Sequence, residues 1–268
     1  MVRKILSDFN IEQIADSGQC FRMKKIDDNK YYTIAFDRYL EITKADNNTY
    51  EFSCSEEEFE SIWEKYFDLS TDYSVFKSNI DKNDIFLQNA VEFGYGIRIL
   101  KQDLWEVIVS FIISQRKSIP AISTCIESLS KAYGKKIEYN NNTYYSFPSP
   151  DSLSKISLDE LLTHGLGYRA KYISNISKEV ALGNIDLNEL RTLPYDEAYK
   201  KLMSIYGVGA KIANCVLLFG LYHINAFPKD VWINRIIENE YNGSFDEKQY
   251  DGYAGVIQQY MFYYKRFN

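Results

Sequence analysis

One change of period divides this chain and limits what it can fold into. Residues 31–36, 39–43 and 49–54 are short runs rich in aromatic and β-branched side chains, separated by Asp37 and by Asp46-Asn47-Asn48. Strand-forming runs with turn residues between them predict an antiparallel meander. Ser55-Glu56-Glu57-Glu58 then fits a capping box for a helix carrying Phe59, Ile62, Trp63 and Tyr66 on one face. From about Arg98 the apolar spacing becomes helical. Residues 104–113 are apolar almost all round, as in a buried helix, and Ile119, Ile122, Ile126 and Leu129 repeat ahead of Gly134. Three more helices are predicted: one opening at Ser157-x-x-Glu160 and ending at Gly165, one over 169–182, and one over 195–205 after Pro194. The expected fold is α+β. An antiparallel sheet domain with flanking helices spans 1–97, and a helical region of two subdomains spans 98–268.

The chain has 268 residues, 46% hydrophobic and 25% charged, the balance of a globular protein with a real core. No apolar stretch reaches the ~18 residues a spanning helix needs. The N-terminal residues reach Asp8 before any signal-type apolar region forms, so no membrane association and a cytoplasmic location are expected. Cys20, Cys54, Cys125 and Cys215 lie far apart, and the histidines are His164 and His223 alone. That supply suits neither a disulfide scaffold nor a metal site, so neither metal nor cofactor is expected. Net charge is −6, but residues 1–95 carry 11 Lys/Arg against 19 Asp/Glu and residues 96–268 carry 20 against 18. A polyanion needs local positive potential, not a basic average, so acidity excludes no nucleic acid here.

The most informative segment runs over 202–219. One helical run enters Gly207-Val208-Gly209 and a largely apolar run leaves it. Glycines permit a tight turn and close backbone approach, and the N–H groups opening the second helix can hold a phosphate oxygen. This is the logic of a helix-hairpin-helix, which grips DNA through its backbone without reading sequence. Lys211 falls in the first turn of the second helix. The helix dipole and apolar neighbours both disfavour a cation there, which favours a neutral, nucleophilic amine. The alternative is a lysine that snorkels to phosphate or water and does no chemistry. Asp230 stands 19 residues further on, in Pro228-Lys229-Asp230-Val231, just before another helical run. It is either an N-cap or a carboxylate facing a substrate beside the amine.

Taken together these residues resemble the helix-hairpin-helix DNA glycosylases, and within them the 8-oxoguanine DNA glycosylases with AP lyase activity. Ser17-Gly18-Gln19-Cys20-Phe21-Arg22, Gly96-Ile97-Arg98-Ile99-Leu100, Gly165-Leu166-Gly167-Tyr168-Arg169-Ala170-Lys171-Tyr172 and residues 253–262 match further segments of that family in the correct order. The resemblance implies a monomer acting on double-stranded DNA at the nucleoid, with an all-α glycosylase domain after a sheet domain that helps form the base pocket. Lys211 is then the nucleophile and Asp230 its acidic partner. Gly18 offers a carbonyl to the N7–H of 8-oxoguanine, or is a plain turn glycine. Gln258 reads the Watson–Crick edge and Phe262 stacks on the ring, while Cys215 covers the opposite face or is a core thiol. Tyr168 fills the gap beside an extruded nucleotide, and Arg169 reaches the estranged base or a phosphate. Gly207 and Gly209 form the hairpin turn on the DNA backbone.

Three departures from the family pattern stand out. Ser114-Gln115-Arg116-Lys117 replaces an asparagine-rich stretch, with Arg116 at the expected gap-filling position and Gln115 as the other candidate. Ala121 stands where relatives carry an arginine that checks for cytosine, so weaker discrimination of the opposite base is expected. Tyr206 replaces the proline usual before Gly-Val-Gly. Two rival readings follow from the same residues. One is a glycosylase that removes alkylated bases with water, and the other a non-catalytic module that binds damaged DNA.

Overall fold

Short runs rich in aromatic and β-branched residues near the start of the chain pair into a sheet. In the computed structural model, which describes residues 1–268, β1 (Val2–Ile5), β2 (Met23–Asp27), β3 (Lys30–Ala35), β4 (Arg38–Lys44) and β5 (Thr49–Phe52) form one sheet in the order β1-β5-β4-β3-β2. β5 pairs antiparallel with β1 and with β4, placing Val2, Phe52 and Ile42 in one row. All three are buried, so the register is fixed by the face that must leave water. Phe36 and Asp37 turn β3 into β4 with φ of 52° and 60°, the two left-handed residues of a type I′ turn.

The helix after the sheet begins as the capping box dictates, with the Ser55 hydroxyl accepting from the Glu58 N–H at 3.1 Å. Its middle turn, Phe59–Trp63, widens to a π-helix, which brings Phe59, Trp63 and Tyr66 together on the buried face. Each such side chain contributes roughly 1.5–3 kcal/mol by leaving water.

The chain divides into two units. The first comprises 1–32, 40–101 and 222–268; the second comprises 33–39 and 102–221. In the first unit the buried Asp68 is a polar hub. Its carboxylate accepts from Thr71 Oγ1 at 2.9 Å, Tyr73 Oη at 3.1 Å and Tyr222 Oη, and pairs with Lys101 at 2.8 Å. Arg98 lies over the Tyr73 ring at 4.1 Å and donates to the carbonyls of Asp8, Phe67 and Asp68. Burial, reinforced by the Asp68 charge, pushes the Tyr73 and Tyr222 hydroxyls well above their ordinary range, so both remain donors.

The second unit is built around the helix Leu104–Ser114, whose apolar circumference is buried. The helix Ile119–Tyr133 follows and stops at Gly134. Gly134 adopts an extended conformation, and glycine is required because a β-carbon there would overlap the Ser146 carbonyl. β6 (Lys136–Tyr139) and β7 (Asn142–Tyr145) make a hairpin across Asn140 and Asn141, both left-handed. Tyr39 packs on Tyr139 and Tyr144 with ring centroids 4.5 and 4.2 Å away. The remaining helices of this unit that matter below are Leu158–Leu162, Arg169–Ala181, Tyr195–Met203 and Ala210–Phe219.

Candidate active site

Helix Tyr195–Met203 enters the glycine turn and Ala210–Phe219 leaves it, as the spacing predicts. Gly207 has φ of +90°, and a β-carbon there would overlap the Tyr172 ring, so backbone and ring lie in direct contact. Gly209 caps the second helix, and nothing lies within 4 Å of where its β-carbon would be. The helix therefore opens on bare backbone that another chain can approach. Lys211 is the second residue of this helix, half-buried, with its Nζ 5.1 Å from the centroid of Phe111. Phe111 in turn stacks on Phe219 at 5.5 Å, which fixes the aromatic floor under the amine. Cys215 follows one turn later and is buried. Asn214 clamps the same helix to its partner, accepting from Tyr195 Oη at 2.8 Å and donating to the Ala210 carbonyl at 2.9 Å.

Two further loops of this unit meet the hairpin. Gln115 ends the buried helix, and its amide donates to the carbonyls of Ile112 at 3.1 Å and Gly207 at 3.2 Å. Arg116, next in sequence, is exposed and left-handed with φ of 50°. The two candidates for one role thus part: Gln115 is committed to backbone, and Arg116 is presented to solvent. Tyr168 is 48% exposed at the end of a loop bent by two left-handed glycines, Gly165 and Gly167. Arg169 behaves differently from its expected outward reach. It is 6% exposed, stacks 4.4 Å from the Tyr168 ring, and donates to the carbonyls of Leu166 and Gln115. Burying a guanidinium requires such partners, and they turn the side chain inward to hold the loops of this unit.

In the first unit, Gly18 is left-handed with φ of 77° between two buried residues. Gln19 fixes that turn: its amide donates to Ser17 Oγ at 2.9 Å and to the Arg98 carbonyl at 2.8 Å, and accepts from the Leu100 N–H at 2.8 Å. The Gly18 backbone is thereby preset. Asp230 caps the helix Val231–Glu240, its Oδ1 accepting from the Ile233 N–H at 2.9 Å. Capping orients the carboxylate at the start of that helix. Gln258, 3% exposed on the helix Ala254–Phe267, donates to the Pro228 carbonyl at 3.2 Å and accepts from Gln259 at 3.0 Å. This bond ties the C-terminal helix to the Pro-x-Asp segment. Phe262 lies one turn beyond Gln258 and is half-buried. Gln19 and Gln258 therefore shape the backbone around Gly18 and Asp230; a sequence pattern shows the glutamine but not which carbonyl it binds.

All four cysteines are buried and none is disulfide-bonded. No group of three or more His, Cys, Asp or Glu side chains is arranged to hold a metal ion. No helix is long and apolar enough to cross a membrane.

A glycine hairpin that bears a lysine in the first turn of its second helix, in a largely helical unit, defines the class of helix-hairpin-helix DNA repair enzymes. Residues 109–250 match the family described as HhH-GPD superfamily base excision DNA repair protein, and residues 1–108 match the 8-oxoguanine DNA glycosylase N-terminal domain. The chain belongs to the 8-oxoguanine DNA glycosylase branch of that superfamily. It is 30% identical over 239 residues to a Methanothermobacter thermautotrophicus protein named "Probable N-glycosylase/DNA lyase", covering 78% of this chain and 74% of that one. A Clostridium acetobutylicum 8-oxoguanine glycosylase/lyase, solved with duplex DNA bearing cytosine opposite 8-oxoG, superposes with a TM-score of 0.91 at 35% identity, covering 98% and 93% of the two chains. The structure of MBOgg1 with a low affinity DNA ligand superposes with a TM-score of 0.92 at 37% identity, covering 99% of each.

Proposed function

We propose that this protein excises 8-oxoguanine from duplex DNA and then nicks the strand, with Lys211 as nucleophile and Asp230 as its acidic partner. The observation that carries the assignment is the placement of Lys211. Its amine stands in the first turn of the helix that leaves a bare glycine turn, over the aromatic ring of Phe111. The target nucleotide must leave the stack before any protein atom can reach it, at a cost of a few kcal/mol. The Lys211 amine attacks C1′ of the sugar as the C1′–N9 bond breaks, and the electron pair of that bond leaves with the base, which takes up a proton. Positive character on the sugar is greatest at that moment, and the Asp230 carboxylate, held by the helix it caps, stabilises it. The C1′ adduct opens to a Schiff base between Lys211 and the sugar. Loss of a C2′ proton then expels the 3′ phosphate by β-elimination. No metal or redox cofactor enters this sequence.

Recognition follows from one hydrogen. 8-Oxoguanine carries N7–H where guanine has a bare acceptor, so a preset Gly18 carbonyl accepts from the lesion and repels the normal base. Gln258 reads the Watson–Crick edge, Phe262 stacks on one face of the ring, and Cys215 covers the other. Tyr168 wedges beside the extruded nucleotide, the exposed Arg116 enters the gap it leaves, and the Gly207 and Gly209 turn holds a phosphate. The protein works as a monomer at the nucleoid. Cleavage of an 8-oxoguanine duplex by wild type, Lys211→Gln and Asp230→Asn side by side tests the reading. Wild type releases the base and nicks, Lys211→Gln does neither, and Asp230→Asn is slower by roughly a hundredfold or more. Nicking by Lys211→Gln at the wild-type rate overturns it.

A further inference from the structure

His164 sits directly before the loop Gly165-Leu166-Gly167-Tyr168 and has no part in the chemistry above. Its ring is held against one helix by two bonds. Nδ1 is 2.7 Å from Ser128 Oγ, and Nε2 is 3.0 Å from Tyr133 Oη, both on the helix Ile119–Tyr133. Tyr133 Oη also lies 2.8 Å from Glu160 Oε1, on the helix Leu158–Leu162. The proton positions in this chain follow from counting. Tyr133 has one hydroxyl hydrogen and donates it to the Glu160 carboxylate. His164 Nε2 then carries a hydrogen and donates to the Tyr133 oxygen, while Nδ1 shares the second bond with the Ser128 hydroxyl. Burial, aided by the Glu160 bond and charge, pushes the Tyr133 hydroxyl up to about 12, so it stays a donor. Cys125, on the same helix, adds a contact from Sγ to the Gly165 carbonyl at 3.5 Å.

The far end of the loop is held as firmly. Arg169 donates to the Leu166 carbonyl at 3.2 Å and to the Gln115 carbonyl, and Leu166 itself is fully buried. Between these two anchors the loop carries an exposed tyrosine across two left-handed glycines. Glycines would otherwise leave such a loop free to sample many conformations, each an entropy cost when DNA binds.

We propose that His164 is a positioning residue that sets the height and stiffness of the Tyr168 loop through its paired bonds to Ser128 and Tyr133, and thereby the ease of extruding a paired nucleotide. The proposal rests on the reading of Tyr168 as the group that enters the duplex. It separates two activities that share Lys211. Excision of a paired 8-oxoguanine requires a base to be unstacked, whereas nicking at a preformed abasic site does not.

The test compares single-turnover excision from 8-oxoguanine paired with cytosine against nicking at a preformed abasic site, for wild type, His164→Leu, His164→Gln and Tyr168→Ala. Glutamine offers one acceptor and two donors on a side chain of similar reach. Expected are a loss of about tenfold in excision by His164→Leu, nicking within about twofold of wild type, and recovery of most of the excision rate in His164→Gln. Combining His164→Leu with Tyr168→Ala costs little more than Tyr168→Ala alone, because both act through one group. Equal loss of both activities, no loss of either, a glutamine variant as slow as leucine, or full additivity with Tyr168→Ala each overturns the proposal. Failure of wild type to nick abasic DNA would instead overturn the function proposed above, so the two failures are distinguishable.

Discussion

The side-chain amide of Gln115 donates to the Gly207 carbonyl across 3.2 Å, joining the end of the buried helix to the hairpin turn. With Arg169 holding the Gln115 carbonyl, loops 114–118, 165–168 and 206–209 share one set of polar contacts. Their spacing is set before any ligand arrives, which lowers the ordering cost of binding.

The hairpin turn depends on a missing side chain. At Gly207 an alanine would require a φ of +90° and would overlap the Tyr172 ring. Gly207→Ala is expected to destabilise the protein by about 2 kcal/mol or more. Chemical denaturation measures this; a change under about 0.5 kcal/mol, the level of an indifferent surface substitution, contradicts it.

Arg116 holds a left-handed conformation that glycine adopts without strain. Arg116→Gly is therefore expected to leave stability unchanged or raise it by up to about 1 kcal/mol, the relief of strain being offset by a looser unfolded chain. DNA binding should weaken, with the slope of log K against log salt smaller by about 0.9 if the guanidinium neutralises one phosphate. Unchanged affinity and salt slope would remove Arg116 from the DNA contact.

Ala121 can donate no hydrogen bond to an opposite base. Excision of 8-oxoguanine opposite cytosine, thymine, guanine and adenine is expected to vary by no more than about tenfold, below the discrimination a side chain bonded to the base supplies. Gel-resolved rates on the four duplexes check this, and a strong preference for cytosine counts against it.

Burial pushes the hydroxyls of Tyr133, Tyr250 and Tyr263 up to about 12 from an ordinary 10.0. The folded value is raised, so the stabilising contribution is fully present below pH 10 and is lost as pH rises toward 12. Unfolding free energy is expected to fall over that window, and less steeply in Tyr133→Phe. A flat profile from pH 10 to 12 contradicts the burial of these phenols.

Much of this architecture was legible in the residues. Strands over 31–54 declare themselves because aromatic and β-branched runs there are separated by turn residues, and the caps Ser55, Ser157 and Asp230 bond the N–H groups their spacing predicts. Other elements follow from long-range partners. β1 has only four residues, two of them Arg3 and Lys4, and becomes a strand by pairing with β5 nearly fifty residues away. The hairpin of β6 and β7 rests on Asn140 and Asn141, whose left-handed turn is a better signal than its short strands. The π turn at Phe59–Trp63 shifts the helical register by an amount that a fixed 3.6-residue period cannot anticipate. The inward turn of Arg169 depends on carbonyls presented by two separate segments, one of them 54 residues away. The clustering of 222–268 with the sheet-bearing unit likewise reflects packing between segments distant in sequence.

The central claim is that the Lys211 amine becomes bonded to the sugar during turnover. Borohydride reduction of wild-type protein turning over an 8-oxoguanine duplex, followed by mapping of the DNA-linked peptide, tests it most directly. The account predicts a covalent complex attached at Lys211 Nζ and its absence in Lys211→Gln. Base release with no trapped complex, or attachment at another residue, would contradict it.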